Sequence, residues 1–193
     1  MANADPIARF ITEYEEALSS EAFDASRCAL GTITETGQPA VRFVLLKGVD
    51  HRGFRFFTNY ESRKAMEIEA RPQVALCFHW HTTGKQVRVE GIASRISTEE
   101  SEEYFHSRPR GSQLGAWSST QSKPLQEWSE MSICLKATEE RFRDQVVPLP
   151  PFWGGYRIAP KSIEFWQDGE DRMHRRELYT LEAGVWTPVR LWP

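Results

Sequence analysis

The sequence predicts a mainly β fold: an antiparallel barrel with α-helices at its periphery. Short segments rich in β-branched and aromatic residues, separated by turn residues, stand both before and after the longest predicted helix. They do not alternate with helices as the strands of a doubly wound parallel sheet do. The chain has 193 residues, of which 40% are hydrophobic and 26% charged. This composition predicts one folded domain, residues 1–193, with a sizeable core.

The first predicted element is an amphipathic helix within residues 1–20. Asp5 is suited to the N-cap and Pro6 to the first helical position, and apolar side chains from Ile7 to Leu18 recur along one stripe. From Cys28 the pattern changes to short runs with β propensity, at residues 28–34, 41–47 and 54–58, separated by turns that contain glycine. These runs predict a β-meander.

The middle of the chain predicts three helices and two strands. A short helix is expected over residues 65–70, followed by strands over 74–80 and 86–94. A helix capped by Ser97 or Thr98 should end near Arg108, and another should run over residues 124–141. Both of these later helices are expected to pack on the sheet. Three further strands, at 162–167, 175–181 and 186–191, complete the predicted fold.

Bulk properties exclude several classes of function. The net charge of −3 gives no global basic field, so we expect no nucleic-acid partner. The longest apolar runs are too short to cross a membrane and no signal peptide is recognisable, which predicts a cytoplasmic protein without a membrane partner. The three cysteines form no CxxC pair and the histidines show no metal-ligand spacing. We therefore expect reduced, mostly buried cysteines and no metal site.

Four cationic residues form the first candidate site. Arg42 and Lys47 lie five positions apart on one predicted strand run, and Arg63 and Lys64 stand at the start of the next predicted helix. A helix N-terminus offers free N–H groups and a positive dipole end, so an adjacent Arg-Lys pair suits a phosphate dianion. A solvated charged face is the alternative, because no glycine-rich phosphate loop is present.

A second polar cluster contains Tyr104, Arg108, Ser112 and Gln113. Tyr104 and Arg108 are four residues apart, which places them on one face of the predicted helix. A cationic side chain is favoured at a helix C-terminus and could also bind a second anion. Simple capping of the helix C-terminus is the alternative interpretation.

Two further segments are compatible with ligand binding. Gln121-Ser122 and the WGGY run at residues 153–156 suit a flat heteroaromatic ligand or an ordinary turn. In an extended strand, Arg172, His174 and Arg176 would project to one face and would meet either solvent or an anionic ligand.

Eight stretches, taken in order, resemble the pyridoxamine 5'-phosphate oxidase family: RFVLLKG, FFTNYESRKA, KQVRVEG, YFHSRPRGSQLGAW, QS, WGGYR, IEFWQ and RMHRRELY. The resemblance runs from about Arg42 to Pro193. It implies an FMN-binding split β-barrel that works as a homodimer, with two flavin sites at the subunit interface. It also implies that residues 156–193 complete the substrate site.

The resemblance further implies roles for individual residues. FMN contacts are implied at Arg42, Val44, Leu45, Lys47, Phe57, Thr58, Arg63, Lys64, Gln86, Gln121, Ser122, Trp166 and Arg176. Contacts to a phosphorylated B6 vitamer are implied at Lys47, Tyr104, Arg108, Ser112, Arg172 and His174, and the last two would position the reacting end. The implied reaction removes hydride from the C4' carbon of pyridoxamine or pyridoxine 5'-phosphate, and dioxygen then reoxidises FMN, giving pyridoxal 5'-phosphate and hydrogen peroxide.

Two departures from the family pattern bear on the substrate. Many members have a segment ahead of the first helix that folds over the substrate and is not among these residues, so a broader or slower enzyme is expected. Arg175 stands where the family commonly has an acidic residue; it either disfavours the protonated form of His174 or pairs with Glu177 or Asp171. The alternatives are a phenazine-biosynthesis-like FMN oxidase of another aromatic substrate and a non-catalytic protein that binds flavin or pyridoxal phosphate.

Overall fold

The structure is a computed structural model that describes residues 5–193, so residues 1–4 of the predicted N-terminal helix lie outside the described residues. The elements, in chain order, are α1 (Pro6–Ser20), β1 (Arg27–Ile33), β2 (Pro39–Leu45), β3 (Gly48–Asp50), β4 (Gly53–Asn59), α2 (Arg63–Ala70), β5 (Gln73–Trp80), β6 (Lys85–Arg95), α3 (Thr98–Ser107), α4 (Arg110–Ser118), α5 (Ser129–Arg141), β7 (Trp153–Gln167), a 3-10 helix (Glu170–Arg172), β8 (Arg175–Glu182) and β9 (Val185–Leu191).

The nine strands form one antiparallel sheet that divides at β7. The main path runs β2-β1-β5-β6-β7-β4-β3, and β8 joins β7 to β9. The first part of β7 pairs with β4 and its last part pairs with β8, while β6 lies along its other side. The sheet therefore curls into a split β-barrel, and the predicted mainly β fold with peripheral helices is confirmed.

The barrel is filled by alternate side chains of the strands and closed by α1. Asp5 caps α1, since its Oδ1 accepts a hydrogen bond of 2.9 Å from the backbone N–H of Ile7, as predicted. Phe10 of α1 is fully buried, and its ring centroid lies 4.8 Å from that of Phe54 and 5.0 Å from that of Phe78. Edge-to-face packing of this kind fixes α1 against the core.

A second, smaller core lies under α3 and α4. Phe105, Leu114, Phe142, Val147 and Trp153 form it, and Trp153 is the first residue of β7. The predicted cap of α3 is confirmed at Ser97, whose hydroxyl accepts from the backbone N–H of Glu100. This small core positions the loop and helix that follow α3.

Three local predictions for this region were wrong. Residues 110–118 form α4, where no helix was predicted between Arg108 and residue 124; buried Leu114 packs this short helix against the second core. The helix predicted from residue 124 begins at Ser129 and contacts α4 rather than the sheet. Met131 and Ile133 of α5 are exposed, because the helix lies outside the second core and only Leu135 packs against it.

The WGGY run lies in β7 and is not a turn. A Cβ on Gly154 would come within 2.2 Å of the Tyr60 hydroxyl oxygen, and one on Gly155 would come within 2.4 Å of the Ile96 side chain. The two glycines are therefore required by close approach rather than by a bend.

The remaining expectations concern cysteines and helices. Cys28, Cys77 and Cys134 are all free, but only Cys28 is buried, so the expectation of mostly buried cysteines was wrong. Within residues 5–193, no helix has the length and apolar character needed to cross a membrane.

Candidate active site

A cavity of about 470 Å³ opens between β2, β4, α2 and α4, and we refer to it as the α2 cavity. Its lining combines cations, hydroxyl and amide groups with aromatic rings. The lining residues are Phe43, Val44, Leu45, Lys47, Phe57, Thr58, Lys64, Tyr104, Arg108, Pro109, Ser112, Gln121 and Trp153. Seven of the thirteen positions at which FMN contacts are implied line this one cavity, and one of the seven, Lys47, also belongs to the implied substrate contacts.

Lys64 is a half-buried cation of the α2 cavity. Its Nζ donates to Oε1 of Gln121 at 2.8 Å, to the Thr58 hydroxyl at 3.1 Å and to the Ser62 hydroxyl at 3.3 Å. Burial and the nearby charge of Arg42 lower the pKa of Lys64 to about 8, although Glu67 acts in the opposite direction. An ammonium group with only neutral partners suits an anionic ligand.

Arg42 and Arg63 lie next to this cavity but do not line it. Both are tied to the buried carboxylate of Glu67, with the η2 nitrogen of Arg42 at 2.7 Å and Nε of Arg63 at 2.8 Å. Lys47 follows the end of β2 at Leu45, so Arg42 and Lys47 are not on one strand as predicted. The four cations still surround one region, because β2 and the first turn of α2 are close together.

Arg108 provides the second cation of the α2 cavity. The structure places it one residue beyond α3 in extended backbone, so the prediction that it shares a helical face with Tyr104 was wrong. The proline at position 109 explains the difference, because it disfavours helical backbone in the residue before it. One terminal nitrogen of Arg108 is buried and has no hydrogen-bond partner among the described residues. Burial also lowers the pKa of Arg108.

Three aromatic rings stack behind this guanidinium. The ring centroid of Phe57 lies 3.9 Å from that of Tyr104 and 5.5 Å from that of Trp153. The guanidinium carbon of Arg108 lies 4.7 Å from the centre of the Trp153 ring. Trp153 is a lining residue that the sequence singled out only within the WGGY run. The stack holds Tyr104 and Arg108 side by side.

The residues around α4 complete this end of the cavity. Ser112 is exposed at its rim, whereas the buried amide of Gln113 donates to the backbone oxygen of Arg108 at 2.8 Å. Gln113 therefore fixes the backbone of Arg108 and does not line the cavity. Ser122 follows Gln121 in the loop after α4 and has a φ of 69°, a conformation unusual for serine.

A second cavity, of about 630 Å³, lies on the other side of β7, and we refer to it as the β8 cavity. It is lined by Arg9, Glu13, Phe165, Trp166, Gln167, His174, Arg175, Arg176, Glu177, Arg190 and Leu191. Gln86 pairs with Trp166, and Trp166 pairs with Arg176, so these three residues form one row across β6, β7 and β8. Residues in such a row share one face of the sheet.

Arg176 is held in this row by a buried carboxylate. Its Nε lies 2.9 Å from Oε1 of Glu164, whose other oxygen pairs with Arg88. The hydrogen bond from Arg176 to Glu164 raises the pKa of the guanidinium. Glu164 was not recognised from the sequence, because a buried carboxylate with two arginine partners leaves no local pattern.

His174 and Arg172 precede β8 and differ from their predicted arrangement. Arg172 ends a 3-10 helix with a φ of 64° and is exposed, whereas β8 begins only at Arg175. The prediction that Arg172, His174 and Arg176 share one strand face was therefore wrong. The chain bends here so closely that a Cβ on Gly169 would lie 2.4 Å from the backbone oxygen of Met173, so only glycine fits this turn.

The ring of His174 is fixed from two sides. Its Nδ1 accepts a hydrogen bond from the backbone N–H of Gly169 at 3.3 Å and lies 3.1 Å from Oδ1 of Asp168. On the other side, its ring centroid lies 4.5 Å from that of Trp166. Arg175 forms no ion pair among the described residues. Glu177 pairs instead with Arg9 at 2.5 Å and with Arg190 at 3.9 Å. The predicted pairing of Arg175 with Glu177 or Asp171 was wrong.

The positions implied for the ligands thus fall into two groups in one chain. Of the described residues, none lines both the α2 cavity and the β8 cavity. Cations and hydroxyl groups suited to phosphates gather in the first, while Trp166, His174 and Arg176 gather at the second.

A curled sheet split at β7, with a cation-lined cavity beside α2, defines a split-barrel protein of the flavin-binding fold type. The family described as "Pyridoxamine 5'-phosphate oxidase" matches residues 12–144, and the "Pyridoxine 5'-phosphate oxidase C-terminal dimerisation region" matches residues 153–193. The chain belongs to the pyridoxine/pyridoxamine 5'-phosphate oxidase family and is an enzyme of that family. The match to the dimerisation region indicates a homodimer.

Relatives named pyridoxine/pyridoxamine 5'-phosphate oxidase align over nearly the whole chain. The protein of Rubrobacter xylanophilus is 53% identical over 192 residues, covering 100% of this chain and 88% of the relative. That of Anaeromyxobacter dehalogenans is 47% identical over 189 residues, covering 98% of this chain and 96% of the relative. The predicted family resemblance is confirmed.

Two solved structures share the fold. PhzG from Burkholderia lata 383, in complex with tetrahydrophenazine-1-carboxylic acid, superposes with a TM-score of 0.90 at 26% identity, covering 100% of this chain and 94% of PhzG. A pyridoxamine 5'-phosphate oxidase-related, FMN binding protein from Nostoc punctiforme superposes with a TM-score of 0.79 at 18% identity, covering 98% of each chain.

Proposed function

We propose that the protein is an FMN-dependent oxidase that converts pyridoxamine or pyridoxine 5'-phosphate to pyridoxal 5'-phosphate, with reduction of dioxygen to hydrogen peroxide. The observation that carries this proposal is a buried nitrogen of Arg108 that has no hydrogen-bond partner among residues 5–193 and lies in the same cavity as Lys64. A buried guanidinium nitrogen without a partner is costly, and a phosphate oxygen satisfies it. The names of the relatives support the same reaction.

The donor set of the α2 cavity fits the phosphorylated ribityl chain and ring of FMN. Lys64, with Arg42 and Arg63 nearby, supplies cationic donors at the first turn of α2, where the helix dipole also favours an anion. Gln121 and the hydroxyl group of Thr58 supply neutral donors. When bound, FMN supplies the two-electron chemistry of the reaction, accepting hydride from the substrate and giving its electrons to dioxygen.

Other residues of the α2 cavity would hold the phosphate of the vitamer. Arg108, Tyr104, Ser112 and Lys47 offer a guanidinium group, two hydroxyl groups and an ammonium group. The aromatic stack of Phe57, Tyr104 and Trp153 restricts their motion. Preorganised donors of this type orient a substrate and leave little of the binding energy to be lost in ordering side chains. The protein's contribution is orientation, and no nucleophile is required.

The site is completed in this proposal by a second copy of the chain. His174, Trp166 and Arg176 line a separate cavity in the single chain, so they would reach the ligands of the α2 cavity only across a dimer interface. Apolar surface at both places supports this arrangement. The side chains of Val41 and Phe43 on β2 are each 71% exposed, and Trp192 after β9 is 86% exposed. Exposed apolar patches of this kind mark association surfaces.

The likeness to PhzG favours one further candidate, an FMN oxidase of a non-phosphorylated aromatic acid. The experiment that separates the candidates compares both B6 vitamers with tetrahydrophenazine-1-carboxylic acid as substrates of the FMN-loaded protein. We expect pyridoxal 5'-phosphate and hydrogen peroxide from the vitamers, with little turnover of the tricyclic acid. A yellow protein that yields no pyridoxal 5'-phosphate from either vitamer would overturn the proposed function.

A further inference from the structure

Glu67 is a buried carboxylate that the proposed function does not use. It is the fifth residue of α2 and is 6% exposed. Within residues 5–193, Glu67 and Glu164 are the two buried charged residues. Its Oε2 accepts from the Thr32 hydroxyl at 2.5 Å and from Arg42 at 2.7 Å, and its Oε1 accepts from Arg63 at 2.8 Å. A carboxylate with this many partners has a fixed position.

Stability alone does not account for this arrangement. Removing two or three charged groups from water costs as much as their mutual attraction returns, and apolar residues of similar volume often serve a core equally well. Burial acts to raise the pKa of Glu67, but the hydrogen bonds from Thr32, Arg63 and Arg42 outweigh it and hold the pKa below its usual value. The carboxylate is therefore charged at neutral pH and remains bonded to both arginines.

The two arginines differ in what they leave free. The η1 nitrogen of Arg42 contacts the backbone oxygens of Leu30 and Ala40 and the Thr32 hydroxyl, and its η2 nitrogen contacts Glu67. Arg63 uses only Nε, and among the described residues its terminal nitrogens have no partner; its side chain is 63% exposed. Both terminal nitrogens of Arg42 are thus hydrogen-bonded within the protein. Arg63 is held through Nε alone, and its two terminal nitrogens are available to a ligand.

Both arginines lie beside Lys64. Arg63 precedes it in the first turn of α2, and the charges of Arg42 and Glu67 are near enough to act on its ammonium group. The three cations and one carboxylate give this corner a net charge of about +2 at neutral pH. A phosphate monoester is the ligand class that this charge and donor set suit.

We infer that Glu67 is a positioning residue, whose buried carboxylate holds Arg42 and Arg63 as a fixed pair beside Lys64 for recognition of the phosphate group of the flavin. This inference rests on the proposed function and deepens it. Glu67 acts through the arginines and does not itself contact the ligand. Its negative charge opposes phosphate binding by simple Coulomb repulsion, so the positioning role and the charge effect predict opposite results when the charge is removed.

The test compares binding of FMN and of riboflavin, which lacks the phosphate, to the full-length protein freed of flavin. Quenching of flavin fluorescence gives both dissociation constants, and their ratio measures recognition of the phosphate alone. We expect Glu67→Gln to reduce this ratio by about tenfold, as expected for a lost charge-assisted contact. We expect Thr32→Val, which keeps every charge and removes the hydroxyl that donates to Glu67 and accepts from Arg42, to reduce the ratio by a smaller factor.

Glu69→Gln is the matched control on the same helix. Glu69 is exposed and pairs with Arg95 at 2.8 Å and with the Tyr156 hydroxyl at 2.6 Å, away from the α2 cavity. We expect this variant to keep the wild-type ratio, so a loss as large as that of Glu67→Gln would overturn the inference.

An unchanged ratio in Glu67→Gln, or tighter binding of FMN, would also overturn the inference. If Glu67→Gln does not fold, Glu67→Asp decides, because the shorter side chain keeps the negative charge and withdraws the carboxylate from both arginines: a reduced ratio supports the positioning role and a wild-type ratio excludes it. A wild-type protein that binds FMN no better than riboflavin would instead count against the phosphate site of the proposed function.

Discussion

The Nζ atom of Lys64 lies 2.8 Å from Oε1 of Gln121, which joins the first turn of α2 to the loop after α4. The two residues are 57 positions apart in the chain, and only the tertiary fold brings them together. This contact places a half-buried ammonium group at the end of the α2 cavity, where its hydrogen-bond partners among residues 5–193 are all neutral. Its protonation therefore depends on the ligand, and pH becomes a test of the site.

FMN affinity should fall as pH rises above 8. Burial, with the charge of Arg42, lowers the pKa of Lys64 from 10.5 to about 8, so the ammonium group loses its proton in this range unless an anion is bound. We expect the affinity for FMN to decrease by up to about tenfold per pH unit above 8, with a much weaker trend for riboflavin. Titrations between pH 6.5 and 9.5 measure both, and Lys64→Met should flatten the FMN curve.

The stability of the flavin-free protein should change in the opposite direction. The pKa of Lys64 is lower in the folded state than its ordinary value of 10.5, so between pH 8 and that value the unfolded chain binds more protons. The contribution of Lys64 to the free energy of unfolding therefore increases as pH rises through this range. Chemical denaturation of wild type and of Lys64→Met across the same range isolates the contribution. An equal pH dependence in the two proteins would contradict the assigned pKa.

Arg108→Met should weaken the vitamer phosphate site without destabilising the fold. The guanidinium carries a buried nitrogen with no partner among the described residues, so an apolar side chain of similar length is tolerated in the absence of ligand. We expect KM for pyridoxamine 5'-phosphate to rise by about 30-fold, close to 2 kcal/mol. The melting temperature without ligand should stay the same or rise.

Arg110→Met is the control for this variant. The terminal nitrogens of Arg110 donate to the backbone oxygens of Gln145 at 2.8 Å and of Phe142 at 2.6 Å, so its loss should lower the melting temperature. The value of KM should remain near that of wild type. A fall in melting temperature for Arg108→Met, with unchanged KM, would show that Arg108 is structural.

Substitutions of Arg172 and Arg63 should separate the substrate site from the flavin site. Arg172 is exposed at the end of the 3-10 helix, far along the chain from α2, while Arg63 is paired with Glu67 at the α2 cavity. We expect Arg172→Gln to impair vitamer oxidation and to retain bound FMN, and Arg63→Gln to lose FMN. Absorbance at the flavin band and the rate of pyridoxal 5'-phosphate formation measure the two effects. Loss of flavin alone in both variants would refute the assignment of two sites.

Phe43→Glu should dissociate the dimer and, with it, flavin binding. Phe43 is 71% exposed on β2 and lines the rim of the α2 cavity. A charge in an apolar association surface is strongly unfavourable. We expect a monomer by light scattering and loss of bound FMN, whereas Thr36→Glu, in the exposed turn before β2, should leave the dimer intact. A monomer that still binds FMN tightly would contradict a site shared between copies.

Much of the fold follows from local patterns in the sequence. The cap at Asp5, the cap at Ser97 and the strands before and after the helices were predicted because each depends on neighbouring residues. The predictions that were wrong concern places where contacts between residues far apart in the sequence determine the local structure. Gly154 and Gly155 were read as a possible turn, but Tyr60 and Ile96 approach them closely within a strand.

The family and the mainly β class were predicted from eight ordered motifs and from short β runs bounded by turns, because these patterns need no coordinates. The spacing of the cations left a solvated charged face as an alternative, and the roles of residues at the two phosphate sites stay predictions. The partners of these residues could not be predicted: Glu67 joins Arg42 to Arg63, and one terminal nitrogen of Arg108 has no hydrogen-bond partner among the described residues. Burial and pairing depend on chain segments that are far apart in the sequence and meet only in the folded protein. A buried carboxylate resembles an exposed one until the strands and helices around it are in place.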